Sequence, residues 1–294
     1  MTQDKLAKPL GDRVLLSEIE VQEQKIGGII IPDSVKLEDV KRATVESVGP
    51  GIYTQSGTLI PMNVEVGDEV ILPSYTFTSA ATAITKFGAT PVFVDIELES
   101  KCIDVNQVRE AINSKTKAIS WVNYAGVSPD IGGLQSLAQE FNLLLIEDNA
   151  HSLGGTHEGR PLGSFGELAS CSFYPAHHIT TGEGGAVLAK NIFHKPIIES
   201  FRDWGRDCWC DPGCDNTCLK RYEWTLGELP TGYDHKYTYS HLGYNLKSGD
   251  IQAAIGLAQL DRLDSFVELR RRNWAYLSTA LTDLEEFLVL PKAT

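Results

Sequence analysis

Four cysteines fall within eleven residues: Cys208, Cys210, Cys214 and Cys218. Thiolates at that density, in a long chain expected to be cytosolic, point to a metal or iron–sulfur centre before a set of disulfides. Zinc is the competing occupant. Cys102 and Cys171 stand alone. Two carboxylates, Asp95 and Asp148, each close a short apolar run, PVFVDI and LLLIED. An aspartate at the end of a strand either caps the next turn or faces a ligand at the carboxyl edge of a parallel sheet. The residues alone leave both readings open.

The elements around these residues alternate. TFTSAATAITKFG reads as a helix, PVFVDI as a buried strand and DVNQVREAINSKT as an amphipathic helix. KAISWVNY follows as a strand, IGGLQSLAQEFN as a helix and LLLIED as another buried strand. Such alternation predicts βαβ units and a parallel sheet. The first 70 residues have another texture. RVLLSEIEV, GGIIIP, ATVESVGPG and DEVILP are short β-rich runs separated by turn residues, which predicts a small antiparallel barrel. Residues 191–238 read as irregular and hold the cysteine knot, and 248–287 read as strongly helical. No internal repeat or low-complexity tract is evident.

The length of 294 residues fits about two domains. With 26 basic against 39 acidic side chains the net charge is −13, which argues against a general nucleic-acid binder. A locally basic pocket for an anionic ligand is compatible with it. The opening MTQDKLAKPLGDRV has no apolar centre, and no apolar run approaches a membrane span. The expectation is therefore a cytoplasmic protein without a membrane partner.

KPLGDRVLLSEIEV, IGGIIIPDS, ATVESVGPG and IPMNVEVGDEVI occur in this order and together resemble the GroES-type co-chaperonins over residues 8–72. The resemblance implies a β-barrel module over 1–72. It also implies a mobile loop whose tripeptide, here Ile29, Ile30 and Ile31, docks in an apolar groove of a chaperonin ring. Gly-Gly gives such a loop its freedom, and burial of three isoleucines would drive docking. Without the resemblance, III reads as a barrel strand. The family's barrel continues beyond GDEVI, so the module is expected to lack its closing strand.

VGDEVILPSYTFTSAATAITKFGATPVFVDI begins a second match. It runs on through VNYAGVSPDI, LLLIEDNAHSLGG, GRPLGSFG, SFYPAHHITTGEGGAV and GYNLKSGDIQAAIGLAQL. This is similar to the DegT/StrS family of pyridoxal-phosphate sugar aminotransferases over residues 66–294. The family implies a fold-type I α/β domain with a mostly parallel sheet, here over 73–294. It also implies a homodimer and a nucleotide-linked 4-keto-sugar substrate. By the resemblance, Asp148 faces the cofactor's pyridine nitrogen and Phe77 stacks on its ring. Ser172 binds its phosphate, and Asn245 reaches the partner subunit's cofactor. His151 approaches the ring or the base. The family's Gly/Ser/Thr-rich phosphate turn and most of its small C-terminal domain are expected to be missing.

In that family's pattern, S-F-x-x-x-K-x-x-x-x-G-E-G-G, the lysine forms the covalent link to the cofactor; here SFYPAHHITTGEGG places His177 there. An imidazole forms no lasting link of that kind but moves protons near neutral pH. The resemblance thus narrows to the CDP-4-keto-6-deoxyglucose 3-dehydratases, to which FRDWGRDCWCDPGCDNTC and GYDHKYTYSHLGYNLK are similar. That subgroup implies non-covalent pyridoxamine phosphate, His177 as catalytic base assisted by Tyr174, a 2Fe–2S cluster and a reductase partner. Cys208, Cys210 and Cys218 would be three cluster ligands. For the fourth, the subgroup's cysteine position holds Asn149 or Ala150, leaving Cys171 or Cys214 as substitutes. The leading expectation is a nucleotide-sugar 3-dehydratase or aminotransferase of lipopolysaccharide sugar synthesis joined to a co-chaperonin-like module. The alternatives are a chaperonin-binding protein with a passive second part and an inactive chimera joined at VGDEVI.

Overall fold

A computed structural model describes residues 67–294 except 209, 211–213, 226–227, 240 and 292–294, and the backbone of four short strands before them. The chain divides into two compact units, Met1–Val66 and Gly67–Thr294. In the first, β1 (Val14–Glu18) pairs antiparallel with β2 (Ala43–Val48), and β3 (Ile52–Tyr53) with β4 (Leu59–Ile60). Ile29, Ile30 and Ile31, and the rest of the expected barrel, lie outside the described residues.

The second unit is a six-stranded sheet flanked by helices. In chain order it contains β5 (Glu69–Pro73), α1 (Thr78–Lys86), β6 (Thr90–Val94), α2 (Val105–Ala111), β7 (Thr116–Val122), α3 (Ile131–Phe141) and β8 (Leu144–Asp148). A small hairpin of β9 (Thr156–His157) and β10 (Arg160–Pro161) follows, then β11 (Leu168–Ser172) and β12 (Gly185–Ala189). The sheet order is β12-β11-β8-β7-β5-β6, parallel throughout except for the antiparallel β11–β12 pair. Parallel neighbours need crossovers; α1, α2 and α3 supply them from β5 to β8, and the segment carrying the β9–β10 hairpin joins β8 to β11. Each expected helix and strand from TFTSAATAITKFG to LLLIED forms.

Two expectations change. DEVILP, read above as a barrel run, is β5 and pairs with β6 and β7. The reason is visible in its burial: Val70, Ile71, Leu72 and Pro73 are all buried, as in a central parallel strand covered on both faces, where a barrel strand would alternate. The stretch after Asn191 is less irregular than expected, because His194–Arg202 forms α4. Its Pro196 falls in the first helical turn, where the missing N–H has no intrahelical role. The predicted helical end forms as α5 (Asp250–Leu260) and α6 (Leu263–Ala280).

The core lies between the sheet and the helices α2 and α3, around Ile71, Ile119, Trp121, Ile131, Leu134, Leu137 and Leu145. Each such side chain contributes about 1.5–3 kcal/mol on burial. α3 is bounded by its sequence: the Asp130 carboxylate accepts the Gly133 N–H at 2.9 Å, and Asn142 ends the helix at φ 53. Further on, Gly205 cannot be replaced without moving the chain, since a Cβ there would stand 1.9 Å from the His241 carbonyl oxygen.

Candidate active site

Because β5, β7, β8 and β11 run parallel, their carboxyl ends share one edge of the sheet. From that edge hang Tyr75 and Phe77 after β5, Tyr124 after β7, Asp148 at the end of β8, and Ser172 at the end of β11 with Tyr174 and His177 beyond it.

Alternation along β8 places Glu147 and Asp148 on opposite faces. Glu147 is fully buried. Its carboxylate accepts from Asn123 Nδ2 (2.7 Å) and from the N–H groups of Gly163 (2.6 Å), Phe165 (3.0 Å) and Gly166 (3.3 Å). Removing it would leave buried donors unpaired, at about 1–3 kcal/mol each. This bracing fixes the backbone that presents Asp148. Asp148 Oδ1 accepts from Ala150 N–H (3.0 Å) and Ser170 Oγ (3.3 Å), while Oδ2 has no hydrogen bond among the described residues.

A run of rings leads across the edge to His177. The Tyr75 and Tyr124 hydroxyls are 2.6 Å apart, and the Tyr124 ring meets His151 edge-on at 5.4 Å. His151 lies 5.2 Å from His177, and Tyr174 lies 6.1 Å from His177 on ring centroids. From α6, Arg270 donates to the His177 carbonyl at 3.3 Å. Burial pulls the His177 imidazole below its usual range, His151 and Arg270 pull the same way, and Asp148 opposes them. His178 is pulled down to about 4, first by burial and then by Arg270 and the neighbouring imidazoles. The Tyr75 hydrogen bond, with burial, pushes the Tyr124 phenol up to about 12. On balance these influences favour the neutral form of the His177 imidazole.

The fold therefore brings His151, Tyr174, His177 and Asp148 together. Ser172 Oγ accepts the Tyr174 N–H at 3.3 Å, at the start of the turn carrying His177. Phe77 stands at the start of α1 with 76% of its surface exposed. Asn245 does not join this group; it is exposed and bridges to Asp203. Tyr75, Tyr124 and Arg270 were not singled out from sequence. Tyr75 adjoins the TFTS motif, but nothing local marks Arg270, which is 93 residues from its partner.

The cysteines separate into groups. The Cys210 thiol is linked by hydrogen bonds to those of Cys208 and Cys218. Burial raises Cys210, but bonds from Thr217, Cys218 and Cys208 outweigh it and bring the thiol down to about 7. Cys218 Sγ lies 3.3 Å from His235 Nε2. Cys214 is exposed. Cys171 is buried under the active site, accepting from Asn149 Nδ2 at 3.8 Å, with Glu147 and Asp148 as its charged neighbours. Asn149 itself is tied into the core, donating to the Leu162 carbonyl at 3.2 Å and accepting from Asn123 at 3.1 Å. Among the described residues no group of three or more His, Cys, Asp or Glu side chains is arranged to hold a metal ion.

A mostly parallel α/β sheet with this carboxyl-edge site is the fold of the pyridoxal-phosphate-dependent aminotransferases. The DegT/DnrJ/EryC1/StrS aminotransferase family model matches residues 51–294, and the chain belongs to that family. The chaperonin 10 kDa subunit model matches residues 6–95. The chain is 52% identical over 228 residues to the lipopolysaccharide biosynthesis protein RfbH of Salmonella typhimurium, covering 78% of this chain and 52% of that one. It is 48% identical over 228 residues to a dTDP-4-dehydro-2,6-dideoxy-D-glucose 3-dehydratase of Saccharopolyspora spinosa, covering 78% and 49%. Among solved structures, GDP-4-keto-6-deoxy-D-mannose-3-dehydratase of E. coli with bound hydrated PLP matches with a TM-score of 0.64 at 26% identity, covering 79% and 56%. The chain spans about half the length of the curated relatives it matches. Among the described residues no helix is long and apolar enough to cross a membrane.

Proposed function

We propose that residues 73–294 form a catalytic unit that removes the 3-hydroxyl of a nucleotide-linked 4-keto-6-deoxy sugar, in the cytoplasm, for lipopolysaccharide sugar synthesis. The observation that carries this reading is His177. It occupies the lysine position of SFYPAHHITTGEGG, and its ring lies 5.2 Å from His151 with Asp148 acting on its charge.

The residues suit a pyridoxamine phosphate. Asp148 keeps one carboxylate oxygen unengaged, as an acceptor for a protonated ring nitrogen requires, and Phe77 offers an exposed aromatic face for stacking. The cofactor supplies an electron sink. Asp148 holds the ring nitrogen's proton. Ser172 binds the phosphate, and Asn245, exposed on the surface, serves the partner subunit's site in a homodimer. His177 moves a proton at the C4′ carbon, with Tyr174 and His151 orienting it or relaying that proton. Cys208, Cys210 and Cys218 would hold a 2Fe–2S cluster, which supplies one-electron transfer from a reductase partner.

The test is product identity. The full chain is incubated with pyridoxamine phosphate, a nucleotide-linked 4-keto-6-deoxyhexose and a reductase with its electron donor, and the sugar is analysed by mass spectrometry. A 3-deoxy product supports dehydration. An amino sugar would replace it with transamination, and unchanged substrate would leave the inactive-chimera reading standing.

The chaperonin 10 match over residues 6–95 favours a second role for residues 1–72, a barrel module docking on a chaperonin ring through Ile29, Ile30 and Ile31. A peptide spanning 20–36 is expected to bind a chaperonin ring in the presence of nucleotide, and the triple Ile→Ser peptide is expected to lose binding. The full chain is expected to bind more weakly than a complete co-chaperonin, because tight binding needs several loops presented together. Binding that survives the triple change would remove the docking role.

A further inference from the structure

A two-iron cluster takes four protein ligands, two on each iron. Of the six cysteines in the chain only three gather: Cys208, Cys210 and Cys218. Cys102 is engaged elsewhere, its thiol directed to the Val127 carbonyl at 3.3 Å, Cys171 is buried against the Asn149 amide, and Cys214 is exposed. One further donor stands against the knot. His235 Nε2 is 3.3 Å from Cys218 Sγ. A tetrahedral metal with a thiolate at about 2.3 Å and an imidazole at about 2.0 Å holds those two atoms about 3.5 Å apart.

The imidazole is built into its place. His235 is fully buried and stacks on Trp224 with ring centroids 4.5 Å apart and planes 13° from parallel. It opens a short 3-10 turn, His235–Tyr237, capped by the Asp234 carboxylate. Asp234 is gripped in turn by Arg221 through Nε (2.9 Å) and a terminal nitrogen (2.7 Å), and the His235 N–H donates to the Arg221 carbonyl at 3.2 Å. The ring plane is therefore set by packing and its backbone by an ion-paired cap. A surface histidine meeting a thiol by chance has neither.

We propose that His235 is the fourth ligand of the cluster, pairing with Cys218 on one iron while Cys208 and Cys210 hold the other. This rests on the iron–sulfur reading above. In this arrangement the four donors are shared between two irons, two on each, rather than gathered around one ion. Mixed thiolate and imidazole ligation is chemically sound, since imidazoles replace thiolates on one iron in Rieske centres and raise the potential.

The test is pulsed electron paramagnetic resonance on the full chain, reconstituted anaerobically with iron and sulfide and then reduced. The wild-type cluster is expected to show one strongly coupled nitrogen. His235→Cys is expected to keep iron and sulfide, lose that coupling and lower the reduction potential, because a thiolate adds negative charge. His235→Ala is expected to lose most of the cluster. A cluster without strongly coupled nitrogen, a coupling that persists in His235→Cys, or cluster loss in Cys171→Ala or Cys214→Ala would overturn the assignment while leaving the iron–sulfur reading intact. Wild-type protein that takes up zinc or no metal would overturn both.

Discussion

His177→Asn is expected to lower turnover of the nucleotide sugar by about 10²- to 10⁴-fold, the usual range for loss of a positioned proton-transfer group. Asparagine keeps the polarity and approximate size of the side chain but titrates nowhere near neutrality, so the loss reads proton transfer rather than packing. The companion effect is on pH. His177 accepts a proton only when neutral, so the rate falls as pH drops through its pKa. Burial, His151 and Arg270 lower that pKa against the opposing pull of Asp148. The acid limb of the wild-type profile should therefore lie below the ordinary imidazole value of about 6.5. His151→Phe keeps a ring in place and removes the imidazole whose electrostatic influence helps hold the His177 pKa down. His177 then protonates more readily, and the limb moves to higher pH. The readout is the pH of half-maximal kcat/KM, which is independent of how far His151→Phe lowers the plateau. A limb that stays put or moves to lower pH would show that His177 is not the titrating base.

Much of this site was legible because its residues sit at the ends of strongly patterned segments. LLLIED is short, apolar and closed by two carboxylates, so both the strand and an aspartate at its carboxyl end could be read from it. The division of labour between those carboxylates could not. Glu147 is the buried brace and Asp148 the presented group, and only the pleat of β8 against its neighbours decides which faces the core. DEVILP shows the opposite difficulty. Its residues suit either a barrel or a parallel sheet, and its place was settled by β6 and β7 offering partners on both sides.

What stayed illegible depends on contacts between distant segments. Arg270 reaches the His177 carbonyl from α6, and the Tyr75–Tyr124 hydroxyl pair joins loops 49 residues apart. The role of Asn149 was hidden for the same reason. It occupies one of the two positions where the resemblance expected a cysteine, yet its amide is spent on Leu162, Cys171 and Asn123, inside the core. The spacing of Cys208, Cys210 and Cys218 was plain in the sequence. That His235 folds back against Cys218 follows from the Arg221–Asp234 pair, which no local pattern announces.

The central claim is that a proton-transfer histidine stands where the family's covalent lysine would be, and borohydride trapping tests it most directly. Wild-type chain is mixed with pyridoxal phosphate, reduced, digested and mapped by mass spectrometry, alongside His177→Lys. His177 is partly exposed on a turn, and Tyr174 and His151 surround it without enclosing it, so a lysine there has room to extend. The expected result is no reducible link at residue 177 or elsewhere in the wild-type pocket, with near-stoichiometric modification of Lys at 177 in the variant. A stable link to another lysine of the wild-type pocket, or a folded His177→Lys protein that binds the cofactor and forms no link at 177, would contradict the account.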